Sequence, residues 1–169
     1  MKPATAMSVD EYLSTRFEIE PDYVDGELRE RYLGSRQHGR TQFRIALWFE
    51  TRRPTLKLIA IPAQHVRISA SRYRIPDLCI LKESAPKEKI LSTPPHICVE
   101  ILSEDDTVYS LEDRIDDLRT FGVPNIWIID PERGRGWSLD TNGSPVLCSG
   151  ILTTNDGLVA MPMADVLPD

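Results

Sequence analysis

No apolar run in this 169-residue chain approaches the roughly 20 residues needed to cross a bilayer, and its N-terminus lacks the apolar stretch of a secretory signal. Cysteine is scarce: Cys79, Cys98 and Cys148 are the only three, and none has the close spacing of a zinc site. Two of them fall in apolar runs, so buried free thiols are expected. There is no internal repeat and no linker-like stretch, so residues 1–169 read as a single domain. Those absences point to a cytoplasmic protein with no membrane attachment. An excess of positive charge is also missing. The net charge of −6 by itself argues against a nucleic-acid partner.

The distribution of charge says otherwise. Residues 29–74 hold 11 Lys/Arg and 2 acids, a local balance of +9, while residues 1–28 and 75–169 stand at −5 and −10. A basic face beside an acidic region suits a metal-dependent enzyme acting on a polyanion. It equally suits a basic segment that the acidic ones neutralise in three dimensions.

Ser8 and Glu11 have capping-box spacing ahead of a short helix over 9–14. Asp25-Gly26 centres a β-hairpin over about 21–33. Gln37 to Arg52 reads as a helix, with Phe43, Ala46, Leu47 and Glu50 in helical spacing and Pro54 as its stop. Its arginines at 40, 44, 52 and 53 either line a phosphate-facing side or are simply solvated. Residues 56–69 form one or two strands broken near Pro62, and 73–81, 96–102 and 125–129 read as buried strands. A second helix spans Ser110 to Phe121, capped by Ser110 and ended by Gly122. Further strands follow near 136–140 and 146–153. The fold class is therefore α+β, a mixed central sheet flanked by helices with an N-terminal β-hairpin.

Two carboxylates stand out because they lie inside apolar runs. Asp77 sits in Tyr-Arg-Ile-Pro-Asp-Leu-Cys-Ile-Leu (73–81) and Glu100 in His-Ile-Cys-Val-Glu-Ile-Leu (96–102). Burying an ionised carboxylate without a partner is so costly that the group neutralises or finds a cation. Strand alternation puts Asp77 on one face with Cys79, and Glu100 on one face with Cys98. If those faces coincide the acids converge. With a carbonyl such as that of Ile101, they would then offer half a shell to Mg²⁺.

The helix over 110–121 adds a cation. Counting about 100° per residue from Leu111 puts Arg114 near 300°, between Leu118 and Phe121 within the apolar stripe. A guanidinium there needs an anion, and the strand acids are natural partners. Asp113 or Asp117 on its own helix are alternatives, as is a purely structural pair with no metal. Asp22 and Glu27, flanking the hairpin turn, read as solvated turn acids with a third carboxylate of the site as the alternative. His38 reads as surface packing with phosphate contact or water orientation as the alternative. The stretch Ser103–Asp106 reads as a loop at the mouth of the site. Trp127 and Trp137 read as core or interface.

These residues resemble the PD-(D/E)xK nuclease superfamily and, within it, the Uma2 family of restriction-type endonucleases (domain of unknown function 820). The likeness runs over about residues 8–140: Val24-Asp25-Gly26-Glu27, His38, Arg74-Ile75-Pro76-Asp77, Pro94 to Ser103, and Phe121 to Pro131. It implies a restriction-endonuclease-like αβββαβ core and Mg²⁺-dependent cleavage of phosphodiester bonds in DNA, with Mn²⁺ as a substitute. It also implies a metal held by Asp77 and Glu100. The superfamily lysine would fall at Leu102; in the family it is displaced onto the following helix, where Arg114 stands here. Arginine keeps the charge but cannot act as a general base. A catalytically inactive relative that binds nucleic acid or a protein is therefore the competing reading. Cutting both strands of a duplex would favour a homodimer, to which the apolar segment Leu158, Val159, Met161 and Met163 can contribute.

Overall fold

The computed structural model describes residues 6–31 and 34–168; the last residues of the hairpin stretch expected over 21–33 lie outside that range. Helix α1 (Val9–Ser14) opens on Ser8 with both arms of the expected capping box. Strands β1 (Asp22–Val24) and β2 (Glu27–Arg29) join through Asp25 and Gly26, whose φ angles of 51° and 96° suit a type I′ turn. Helix α2 (Arg36–Leu56) begins at Ser35, whose hydroxyl accepts the His38 N–H. It passes through Pro54 and ends two residues later at Leu56, with Lys57 as its C-cap in the left-handed conformation. Pro54 removes one helical hydrogen bond in the last turn, too late to end the helix where the sequence placed the stop.

The apolar face of α2 also differs from the one expected. Thr41, Ile45, Trp48 and Phe49 are buried, whereas Phe43 and Leu47 are exposed. Ile45, Trp48 and Phe49 stand at i, i+3 and i+4, a tighter stripe than the one through Phe43 and Leu47, and Phe49 stacks on Trp127.

Next come β3 (Leu58–Pro62), β4 (Val66–Ser69), β5 (Arg72–Arg74) and β6 (Leu78–Lys82). The run 73–81, read as one strand, is thus two strands in different sheets. Pro76 donates no backbone hydrogen bond, and the Ile75 N–H is taken by the Asp22 carboxylate, so the ladder breaks between them. Strand β7 (Ile97–Ile101) precedes α3 (Val108–Phe121), which is capped by Thr107 rather than Ser110. Ser110 instead occupies the third position of that capping box, and Gly122 ends the helix at φ 96° as expected. The chain finishes with β8 (Ile126–Asp130), β9 (Arg135–Leu139), β10 (Pro145–Leu147), β11 (Ile151–Thr153), β12 (Ala160–Pro162) and the short α4 (Met163–Val166).

The six-stranded sheet runs β10-β9-β8-β7-β6-β3, with β7 and β8 parallel and the other pairs antiparallel. Helix α3 makes the crossover that a parallel pair requires. The sequence α2-β3-β6-β7-α3-β8 is the αβββαβ order expected. On one face of the sheet, Leu78, Ile80, Ile97, Val99 and Ile101 pack with α2. On the other, Cys79, Cys98 and Ile128 pack with Ile115 and Leu118 of α3. A smaller sheet, β2-β1-β5-β4, holds the hairpin beside α3. The C-terminal residues Leu152, Val159, Met161, Met163 and Val166 complete the α2-side core. Of the apolar segment expected to serve a dimer, only Leu158 is exposed. No helix among the described residues is long and apolar enough to cross a membrane.

Candidate active site

Asp77 and Glu100 meet through strand register. Leu78 pairs with Val99 and Cys79 with Cys98 across β6 and β7. Extending that register by one residue sets Asp77 opposite Glu100, where facing side chains come within about 5 Å at Cβ. Alternation then puts both on the α3 face with Cys79 and Cys98. Pro76 and the end of the β6 ladder leave Asp77 at the edge of the sheet rather than within it. Both acids are buried yet line an open cleft of about 450 Å³ between the hairpin, the sheet and α3.

Each carboxylate has partners. Asp77 Oδ2 accepts the Ile101 N–H at 2.8 Å and lies 3.3 Å from His38 Nε2, while Arg31 Nη2 reaches Oδ1 at 3.4 Å. Gln42, one helical turn beyond His38, donates to the Asp77 carbonyl at 2.7 Å. Glu100 Oε2 accepts from Arg114 Nε at 3.0 Å, and Arg114 Nη2 donates to Asp106 at 2.9 Å. Arg114 therefore points at the sheet, and the pairing with Asp113 or Asp117 does not occur. Its link is to Glu100 and not to Asp77.

The electrostatics follow from burial. Desolvation pushes the Glu100 carboxyl up to about 7; Arg114 opposes that shift, and the negative charges of Asp77 and Asp22 add to it. Burial works against a charged His38, but the adjacent Asp77 outweighs it and raises the imidazole above its ordinary value. Desolvation likewise opposes the charge on Arg114, and Glu100 with Asp106 more than restores it.

Sequence reasoning missed several of these residues. Asp22, expected as a solvated turn acid, is 3% exposed and lines the cleft. It accepts from Arg74 Nη1 at 3.1 Å and from the Ile75 N–H at 2.9 Å. Arg74 also donates to Asp117 at 2.6 Å and to Asp113, which ties the hairpin to α3. Strand β1 is buried at all three positions, and the signal available was that Asp22 shares a strand face with Val24 two residues on. Glu27 is exposed as expected and pairs with Arg29. His38 reaches Asp77 rather than serving as surface packing, and Asp106 places the 103–106 loop at the cleft. Trp127 is core.

Much of the basic segment is neutralised internally. Arg72 pairs with Asp25 and Asp117, Arg53 with Glu83, and Arg52 stacks over Trp48 at 4.2 Å. Arg44 donates to the Leu167 carbonyl. Of the α2 arginines expected to face phosphate, only Arg40 is exposed without an ion pair among the described residues.

The donor set fits a hard divalent cation. Among the described residues no group of three or more His, Cys, Asp and Glu is arranged to enclose a metal. Mg²⁺ rarely uses such a cage, taking one or two carboxylates with waters and phosphate oxygens. Glu100 Oε1 carries no protein hydrogen bond among the described residues, and the two acids repel across a polar cleft. A cation between them would relieve that repulsion.

A sequence model of the Uma2 family, described as "Putative restriction endonuclease", matches residues 9–144. No curated protein matches the chain. Among solved structures, a protein from Anabaena variabilis, described as a putative nuclease belonging to domain of unknown function 820, superposes with a TM-score of 0.82. The two are 16% identical, with 95% of this chain and 97% of the other covered. That likeness establishes the fold.

Proposed function

Because the chain belongs to the Uma2 family, whose members are described as restriction endonucleases, we propose that it is an endonuclease hydrolysing phosphodiester bonds in DNA with Mg²⁺, or Mn²⁺ in its place. The observation that carries this reading is that Asp77 and Glu100, one step beyond the Leu78–Val99 pair, line the same open polar cleft. Asp77 and Glu100 would hold the cation, with the Ile101 carbonyl as a third oxygen. The chemistry a divalent cation supplies there is polarisation of the phosphate and a lowered pKa for water.

The chain's own residues do the rest. The Ile101 N–H fixes the Asp77 carboxylate, and Arg31 and His38 bring positive charge to the same oxygens. Arg114 orients Glu100 through Nε and braces itself on Asp106 through Nη2. Nη1, without a protein partner among the described residues, can meet charge developing on the phosphate. Arginine does not act as a base, so Arg114 stabilises charge and does not take a proton. Domain and assembly belong to this reading too: one nuclease domain over residues 1–169, in the cytoplasm, dimerising to cut a duplex.

Nicking of supercoiled plasmid with Mg²⁺ or Mn²⁺ tests it. Asp77→Ala and Glu100→Ala are expected to fall to background, and Arg114→Ala to lose about 10²–10³-fold, the usual cost of one charge-stabilising donor. Full cleavage by both acid variants would remove the reading. A second reading is favoured by the Arg114–Glu100 pair, which satisfies one acid without a metal: a relative that binds nucleic acid or a protein without cutting. It predicts salt-sensitive DNA binding with no metal-dependent turnover, and gain of cleavage in Arg114→Lys.

A further inference from the structure

We propose that Tyr109 is a stacking platform for a nucleobase, so that the preferred substrate presents an unpaired base beside the phosphate bound at Asp77 and Glu100. This rests on the nuclease reading above. Tyr109 lies in the first turn of α3, lines the same cleft as the two acids, and is 84% exposed. No other large apolar or aromatic side chain among the described residues is as exposed, and its neighbour Val108 follows at 70%. The remaining described tyrosines behave differently: Tyr12, Tyr23 and Tyr73 pack together at ring separations of 4.9–6.2 Å.

A single exposed tyrosine is ordinary; its mounting and surroundings are not. The turn that carries it is fixed by the Thr107–Ser110 capping box, and its helix is anchored to the sheet through Arg114 and Glu100. The Cα of Tyr109, though not its exposed ring, is therefore held at a defined place relative to the acids. Arg29 and Arg31 line the same cleft and supply positive charge for a phosphodiester backbone. Neighbouring aromatic and cationic groups of this kind are how single-stranded nucleic acid is held, with stacking that tolerates any base. A cleft of about 450 Å³ has room for a nucleotide-sized group. A base inside a duplex keeps its faces covered by its neighbours. Only an unpaired or extruded base can offer one to Tyr109.

The test uses the full chain and a short single-stranded oligonucleotide carrying 2-aminopurine, whose fluorescence falls on stacking. Wild type, Tyr109→Phe and Tyr109→Trp are expected to quench it, and Tyr109→Ala is not. In cleavage of the same strand, Tyr109→Ala should raise KM roughly 5- to 150-fold, the range for losing one base–aromatic stack, with kcat nearly unchanged. Mismatched duplexes should be cut more efficiently than fully paired ones by wild type, a preference lost in Tyr109→Ala. Thermal unfolding of Tyr109→Ala should match wild type, since the ring buries nothing.

Quenching and KM that are unchanged in Tyr109→Ala overturn the proposal. So does equal cutting of paired and mismatched DNA by wild type. The nuclease reading fails separately: wild type that quenches through Tyr109 but never cleaves supports stacking and removes catalysis. Wild type that neither binds nor cuts removes both.

Discussion

At the scale of single residues, charge burial governs this protein more than charge number. Arg74 is 3% exposed and faces Asp22, Asp113 and Asp117. Arg74→Ala would leave Asp22 and Asp117 buried with their main cation gone, and should cost about 3–5 kcal/mol in urea unfolding. A loss below 1 kcal/mol would show that the network is not closed in solution. Glu100 provides the pH signature. Its carboxyl titrates near 4.5 when exposed and near 7 when folded, so between those values the folded protein holds the extra proton. Stability from this group is therefore full below about 4.5 and lost as pH rises to about 7. His38, raised above its ordinary value by Asp77, acts in the same sense, its contribution being lost as pH rises through its folded value. Chemical unfolding of Glu100→Gln across pH 4.5–7 should give a flatter stability profile than wild type.

At the scale of elements, local signals were legible where local physics decides. The capping box at Ser8 and the Asp25-Gly26 turn both form as the sequence indicates, because their partners lie within three residues. Gly26→Ala tests the turn: φ is 96° and a Cβ there would sit 2.8 Å from that of Ala6. A loss of about 1–2 kcal/mol is expected, read as a lower Tm, from the left-handed conformation alone. Where an element's boundary depends on a distant partner, the sequence misled. The run 73–81 carries Pro76 as its one local break, and that the chain changes sheets there depends on the distant Asp22 carboxylate taking the Ile75 N–H. The buried face of α2 follows the Ile45, Trp48 and Phe49 stripe, on which Trp127 and the sheet pack.

At the scale of the whole molecule, the family match ends at residue 144, yet the chain beyond it is structural. Leu152, Met161 and Val166 are fully buried against α2, and Trp48 Nε1 donates to Asp165 at 3.1 Å. Removing residues 145–169 should uncover Trp48 and the α2-side core, giving a protein that unfolds at markedly lower denaturant or aggregates. A truncated chain with wild-type Tm would show that this segment is an accessory. Charge tells a similar story at this scale. The +9 segment is partly taken up by internal pairs through Arg53, Arg72 and Arg74, while Arg29, paired with Glu27, and Arg31, paired with Asp77, also face the cleft.

By itself the sequence determined the helices α1 to α3, most of the strands up to β9 and their order, and the two acids worth attention. The split of 146–153 into β10 and β11, strand β12 and helix α4 were not legible in it. Apolar alternation, caps and turns act over a few residues, and a carboxylate in an apolar run is costly wherever the chain goes. Arg114 as the partner of a strand acid was legible from helical spacing, whereas the approach of Arg31 and His38 to Asp77 was decided only by tertiary structure. Arg31 and Asp77 are 46 positions apart, and Arg74 and Asp22 are 52. No local pattern encodes a pairing across such distances; the packing of hairpin, sheet and α3 brings the groups together and leaves Asp77 facing Glu100 across one cleft.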